Sequence, residues 1–269
     1  MSYQNNSYKR IEIKKENALL WIILNRPEAS NAFDELMIEE FVDCLEKMDE
    51  DNEVRCAILT GKGKNFCAGG DVKKMQNKEG MFAGAANELR ERYKRGIQKI
   101  PLAFEKLSTP VVAMINGAAI GAGLDVACMC DIRVAAPTAK FGETFTKLGL
   151  IPGDGGSYFL QRVVGFSKAM EMTLSAKIYT AEEAKEMNLL SYEGDDYEQK
   201  ALEFALAICQ NAPVAVQMAK RSIEHAYRAN LQTVLDLLAA YQGIAQRTED
   251  HFEGLEGLVK KSQVDFKHK

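Results

Sequence analysis

Apolar and polar positions alternate from Ile11 onward. "IEIKKENALLWIILN" predicts a strand, a polar turn at 15–17 and a second strand over about 19–24. Pro27 and "EASNA" break that pattern. From Asp34 the period becomes helical: "DELMIEEFVDCLEKMDED" spaces Leu36, Met37, Phe41, Leu45 and Met48 along one face and leaves an acidic outer face. "CAILTG" (56–61) predicts a buried strand ended by glycine. "KGKNFCAGGDVKKM" (62–75) predicts a loop of small residues, followed by a helical stretch to about 106. After Pro110 the apolar run "VVAMI" (111–115) predicts a strand that enters "NGAAIGAGLDVACMCD" (116–131). "DIRVAA" (131–136) predicts a short strand, and "FGETFTKLGLIPGDGGSYFLQRVVG" a loop leading into a helix. Beyond Ser167 the pattern is helical throughout. "TAEEAKEMNLL" starts with a Thr cap and an acid three residues on, and longer helices are expected over 197–211, 213–229 and 232–248.

Strand–helix alternation therefore fills the first two-thirds, and helices alone the last third. This predicts an α/β core over residues 1–200 and a helical domain over 201–269, with no internal repeat or flexible linker. The apolar stripe in "LQTVLDLLAAYQGI" is too large to stand free in water. Those helices must fold back on the core or be buried between subunits.

Composition narrows the function classes. With 34 basic and 38 acidic residues the net charge is −4, so no whole-chain attraction to nucleic acid or an anionic membrane is expected. No long apolar run predicts a membrane span, and the polar start "MSYQNNSYKR" has no leader-like apolar core; a cytoplasmic location is expected. Six cysteines without paired-motif spacing read as reduced thiols rather than metal ligands or disulfides. All three histidines (His225, His251 and His268) lie in the last quarter, so acid–base work near the glycine-rich middle falls to carboxylates.

Two segments share one plan: an apolar strand, a Gly/Ala turn, then an aspartate. They are "AILTGKGKNFCAGGD", ending at Asp71, and "VVAMINGAAIGAGLD", ending at Asp125. Amides at a helix start lack intrahelical partners and carry partial positive charge. If both turns face one pocket, an amide from each can grip one carbonyl oxygen, and small residues let the ligand approach. Close helix–strand packing asks for the same residues, so the pattern leaves both readings open. An aspartate at Asp125 can likewise cap orphan amides, and one at Asp154 can serve a Pro-Gly-Asp-Gly bend.

"LNRPEASNAF", "LTGKGKNFCAGGDVKKM", "PVVAMINGAAIGAGLDVACMCDIRVAAPTAKFG", "LGLIPGDGGSYFLQRVVG" and "AMEMTLSAKIYTAEEAKEMNLL" together resemble the crotonase (enoyl-CoA hydratase/isomerase) superfamily, in order and over nearly the whole chain. The resemblance implies an α/β spiral of ββα units with a C-terminal helical oligomerisation domain. It implies a homo-oligomer, either a trimer or a dimer of trimers. It also implies an acyl-CoA thioester substrate, with coenzyme A entering as part of the substrate and no permanent cofactor. The oxyanion-hole amides then fall on Gly70 and Ala122, where many relatives have glycine at the second. Ala68, Gly69, Gly70 and Asp71 would line the CoA side. Arg26, Lys73, Lys74 and, across a subunit boundary, Lys260 or Lys261 are the cations for its phosphates.

The chain departs from the hydratase pattern at one point. Of the two glutamates such enzymes place around a water, the first position holds Asp125 and the second holds Phe145, which cannot activate water and instead shapes the acyl pocket. Glu143 lies two residues away, roughly 6–7 Å along an extended strand, and is not a simple replacement. The nearest other acid is Asp154; some isomerases and dehalogenases of the superfamily carry an acid on this loop, about one position earlier. The leading expectation is proton transfer on an acyl-CoA by Asp125 and Asp154, with isomerisation favoured over efficient hydration. Hydrolysis or substitution with Asp154 as nucleophile or base is one alternative. A CoA-ligand-binding or assembly protein with little chemistry is the other. RNA binding through the first helix is disfavoured by its acidic face, although the basic run "LRERYKRGIQK" (89–99) keeps a weak nucleic-acid alternative open.

Overall fold

The computed structural model describes residues 8–269; the first seven residues of the polar start, expected to lack a leader's apolar core, lie outside them. Strand β1 (Ile11–Glu16) pairs antiparallel with β2 (Leu19–Leu24) across the expected turn. The chain then crosses through α1 (Glu35–Asp49), which Asp34 caps by accepting the Met37 N–H, to β3 (Cys56–Gly61). Met37, Ile38, Phe41, Cys44, Leu45 and Met48 are buried on α1, the face set by the helical spacing, and Leu36 stays partly exposed.

The region read as one helical stretch is broken at glycines into α2 (Val72–Asn77), a 3-10 turn at Gly80–Phe82, α3 (Ala86–Arg95) and α4 (Lys99–Lys106). β4 (Val111–Ile115), β5 (Ala119–Ile120), α5 (Ala122–Met129), β6 (Ile132–Ala135) and β7 (Lys140–Gly142) follow, then α6 (Gly156–Val164) and α7 (Phe166–Ser175).

The expectation that everything past Ser167 is helical is corrected here. β8 (Ile178–Thr180) pairs antiparallel with β7, and β9 (Tyr192–Glu193) pairs parallel with β6. Strands of two or three residues carry no readable period; their partners lie dozens of residues upstream. Between them Thr180 caps α8 (Ala181–Glu186), and Glu183 returns the bond to the Thr180 N–H, completing the capping box.

Six strands form one sheet in the order β1-β2-β3-β4-β6-β9, parallel from β2 onward, and β5-β7-β8 form a second. One face of the large sheet is covered by α9 (Tyr197–Cys209), whose Ala201, Ala205 and Cys209 pack on Leu19, Cys56, Ile58, Val112, Met114 and Val134. The expected division after residue 200 thus falls inside a helix that closes the sheet. α10 (Pro213–Ala226), α11 (Leu231–Ala245) and α12 (Glu249–Lys260) complete the chain; the break at 246–248 separates α12 from the single pattern read over 232–248. Ile223, Leu231, Leu258 and Val259 on these helices are 72–83% exposed. All six cysteines are buried and free. No helix among the described residues is long and apolar enough to cross a membrane.

Candidate functional site

The two small-residue loops lie against each other. The Cys67 N–H donates to Ala118 O (3.0 Å) and the Ile120 N–H donates back to Cys67 O (3.0 Å). The contact needs glycine: a methyl on Gly69 (φ +88°) would sit 2.7 Å from Ile120 O, and one on Gly123 would collide with the Cys67 carbonyl. From below, the buried Asn31 holds the first loop, its Nδ2 donating to Lys62 O, Asn65 O and Phe66 O. No pattern in the sequence marks Asn31, because its partners are backbone carbonyls.

The loops leave one amide each unused. Ala122 is the first residue of α5 and Gly70 ends the other turn; neither N–H donates a hydrogen bond among the described residues. Buried or half-buried amides without partners are rare, and these two end adjoining turns. The ring of Phe145 stands over the same corner: a methyl on Gly121 would lie 3.5 Å from its Cζ.

One turn into α5, Asp125 is fully buried, as is Glu143, and Asp154 is 4% exposed. Neither oxygen of Asp125 accepts a bond from a backbone amide or any other donor, so it does not cap its helix. Both oxygens of Glu143 and Oδ1 of Asp154 lack donors as well. Ionised carboxylates only accept, so these buried acids, left without donors, disfavour one another's ionised forms. Burial is the main cause that pushes Asp125 far above the usual carboxylate range, reinforced by the charges of Asp154 and Glu143. Burial, then the charge of Asp154, pushes Glu143 up to about 8. Burial also raises Asp154, partly offset by the neighbouring Asp125 carboxyl.

Asp154 sits in the expected bend before α6, but its side chain turns inward. Gly156, at the start of α6, touches the Asp125 carboxyl so closely that any Cβ there would collide with it. The Tyr93 ring packs on Gly153, where a methyl would lie 3.1 Å from its Cε1, and Gln98 Nε2 donates to Gly153 O at 2.7 Å. Burial and the Asp154 charge raise the Tyr93 phenol. Tyr93 and Gln98 come from the basic run over 89–99, whose charges give no sign of an inward role.

Sequence spacing alone does not fix what Glu143 faces. Strand separation from position 145 argues against it as a replacement, yet the register Ile120↔Gly142 and the bond from Gly121 N to Gly142 O (2.8 Å) set Glu143 beside the first turn of α5. It meets Asp125 itself.

The cations expected on the CoA side are placed unequally. Arg26 donates to Asp71 at 2.7 Å and to Ala32 O, and lies 3.5 Å from Asp34; Asp71 in turn accepts the Lys74 N–H and caps α2. That guanidinium holds the Asp71 carboxyl below its usual range. Lys74 pairs with Glu35 at 3.0 Å. Lys73 is exposed beside the Gly70 turn, and Lys261 is exposed at the end of α12. No cluster of metal-ligating side chains occurs among the described residues.

The model of the enoyl-CoA hydratase/isomerase family matches residues 14–269. The chain is 34% identical over 253 residues to the 1,2-epoxyphenylacetyl-CoA isomerase of Escherichia coli (strain K12), spanning 93% of this chain and 95% of that protein. It is 33% identical over 263 residues to the short-chain-enoyl-CoA hydratase of Clostridium acetobutylicum, spanning 96% of this chain and 97% of that protein. A crystal structure of an enoyl-CoA hydratase from Bacillus anthracis superimposes with a TM-score of 0.90 at 32% identity, over 97% of this chain and all of that one.

Proposed function

From the premise that this chain belongs to the enoyl-CoA hydratase/isomerase family, we propose that it moves a double bond along an acyl-CoA by proton transfer, in preference to hydrating it. The observation that carries this reading is the pair Asp125 and Asp154, both buried, with Asp125 one helical turn past the unpartnered Ala122 amide and Phe145 against Gly121 at the start of that helix. The Gly70 and Ala122 amides take the thioester oxygen and stabilise the enolate as charge develops on it. One carboxylate removes a proton from the acyl chain and the other returns one at a different carbon, which together shift the double bond. Phe145 occupies the place where a water-holding glutamate would stand, so the pocket favours carbon-bound proton transfer over addition of water.

Coenzyme A enters as part of the substrate. Residues 68–70 line its path, with Lys73 and a neighbouring subunit's Lys261 as phosphate partners, while Arg26 and Asp71 brace the turn that presents Gly70. The exposed apolar residues of α10–α12 support a trimer or a dimer of trimers, and the reduced buried cysteines suit the cytoplasm. A second reading, substitution or hydrolysis with Asp154 as nucleophile or base, draws on its buried, donorless Oδ1.

The deciding experiment compares 3-enoyl-CoA to 2-enoyl-CoA isomerisation with hydration of crotonyl-CoA. Isomerisation should dominate, and hydration at the rate of an efficient hydratase overturns the proposal. Asp154→Asn separates the readings: if thioester hydrolysis is the reaction lost, the second one holds.

A further inference from the structure

The two loops that end in the Gly70 and Ala122 amides meet through very little backbone. Cys67 and Ala119 form a single isolated bridge, and one bridge is a pivot about which two loops can turn. A side chain adds the second point of contact. Asn65 Oδ1 accepts the Ala118 N–H at 3.3 Å, while the Ala118 carbonyl accepts the Cys67 N–H at 3.0 Å. Both polar groups of the Ala118 backbone are therefore held by the first loop, one of them through Asn65. The same carboxamide turns its Nδ2 the other way and donates to Ser30 Oγ at 3.1 Å. We propose that Asn65 is a positioning residue that sets the separation of the Gly70 and Ala122 amides.

The inference rests on the oxyanion role proposed above for those two amides. Asn65 can hold the second loop in place because it is itself fixed. Its backbone carbonyl accepts Asn31 Nδ2 at 2.8 Å, and Asn31 is fully buried, with its Oδ1 accepting the Arg26 N–H at 2.9 Å. The segment that carries Asn31 also grips the first loop further on, since Ser30 O accepts the Ala68 N–H and the Phe33 N–H donates to Gly69 O. Residues 30–33 are thus a common base, and Asn65 links that base to the second loop. On the far side Asn116 Nδ2 donates to Gly61 O and Gly63 O at 2.9 and 2.8 Å. Between these ties the backbones touch: a methyl on Gly117 would lie 1.9 Å from Lys64 O, so the loops cannot slide past one another. A carboxamide suits position 65 because one end offers both an acceptor and donors, and can bond two segments at once. Asn65 acts through backbone groups, so the proposal gives it no contact with substrate.

The test uses the full-length enzyme and butyryl-CoA, which has no double bond to shift. Its thioester C=O stretch, read by infrared difference spectroscopy, should move to lower frequency on binding to the wild type, because two N–H groups polarise the oxygen. Asn65→Ala removes the bond to Ala118. There the displacement should shrink, and kcat/KM for isomerisation should fall about 10- to 100-fold, since a misplacement of about 1 Å costs up to that much. Asn65→Asp keeps an acceptor for the Ala118 N–H and can accept from the Ser30 hydroxyl, so it should recover most of both readouts. A merely structural role would not move the stretch of a ligand bound to folded protein, nor be rescued by an acceptor alone. An unchanged displacement in Asn65→Ala, whatever its rate, overturns the inference, and so does a loss in Asn65→Asp equal to that in Asn65→Ala. A wild type whose bound butyryl-CoA shows no displacement overturns the oxyanion role beneath it. A displacement that shrinks in Asn65→Ala, in a protein that turns over no enoyl-CoA, supports the inference and overturns the proposed reaction instead.

Discussion

Residues 68–71 and 121–125 follow one plan, and their aspartates have opposite characters. Both turns carry small residues, an unpartnered amide and an aspartate near the start of a helix. Asp71 caps α2 and pairs with Arg26, which holds its carboxyl low. Asp125 lies a full turn inside α5, accepts no backbone amide, and is pushed high by burial and by neighbouring acids. What differs is one turn of helix and the sign of the nearest charge. An aspartate at the N-cap finds donors and becomes part of the scaffold; one turn deeper it finds none, and it is this carboxyl that the proposed reaction uses for proton transfer.

The largest effect that tests this contrast is on rate. Asp125→Asn should lower the proton-transfer rate by about 10²–10⁴-fold, the usual worth of a general acid–base partner. Affinity for free CoA or acetoacetyl-CoA, measured by calorimetry, should change little, because the proposed oxyanion donors are backbone amides. A loss of binding as large as the loss of rate would put Asp125 in the scaffold beside Asp71.

Phe145→Glu comes next. It puts a carboxylate near Gly121 and should raise crotonyl-CoA hydration, assayed by loss of enoyl absorbance, by at least about tenfold, part of the 10²–10⁴-fold span. The gain is capped because a fourth acid, added beside Asp125, Glu143 and Asp154, must itself be desolvated. Unchanged or lower hydration would show that the ring does not occupy the water's place.

Stability should also carry the signature of the buried acids. Glu143 is raised from 4.5 to about 8 in the folded protein, so folding takes up protons between those values. Its stabilising share is complete below about pH 4.5 and is lost as pH rises through about 8. Scanning calorimetry should give a melting temperature that declines over this window, and Glu143→Gln should flatten the decline.

The sequence made these features legible to different depths. Apolar periodicity placed α1, its buried face and β1 to β4, because long periodic segments report their own environment. The two loops and both aspartates were visible as motifs, and Thr180 as a cap with its acid three residues on. Asn31, Gln98 and Tyr93 were not, because their partners are backbone groups or a bend distant in sequence. Glu143 was visible as a residue, but distance along its own strand from position 145 says nothing about the pairing of its neighbour Gly142 with β5 that sets it beside α5. The short strands β8 and β9 were lost for the same reason, since pairing alone defines them.

The smallest expected effect concerns Asp71. Asp71→Ala removes the cap of α2 and one partner of Arg26, whose guanidinium keeps Asp34 nearby at 3.5 Å. Loss of a cap costs about 0.5–2 kcal/mol, equivalent to a fall of about 2–4 °C per kcal/mol in melting temperature for a chain of this size. The pH sign is opposite to that of Glu143. The Asp71 carboxyl is lowered from 3.8, so its contribution is present above that value and is lost as pH falls through the folded value. The melting curves of wild type and Asp71→Ala should therefore converge in acid and separate at neutral pH. In kinetics, the variant should weaken KM for the acyl-CoA more than kcat, because the displaced turn presents Gly70 while Asp125, Asp154 and Glu143 stay in place. A drop in kcat comparable to that of Asp125→Asn would erase the distinction between the two aspartates.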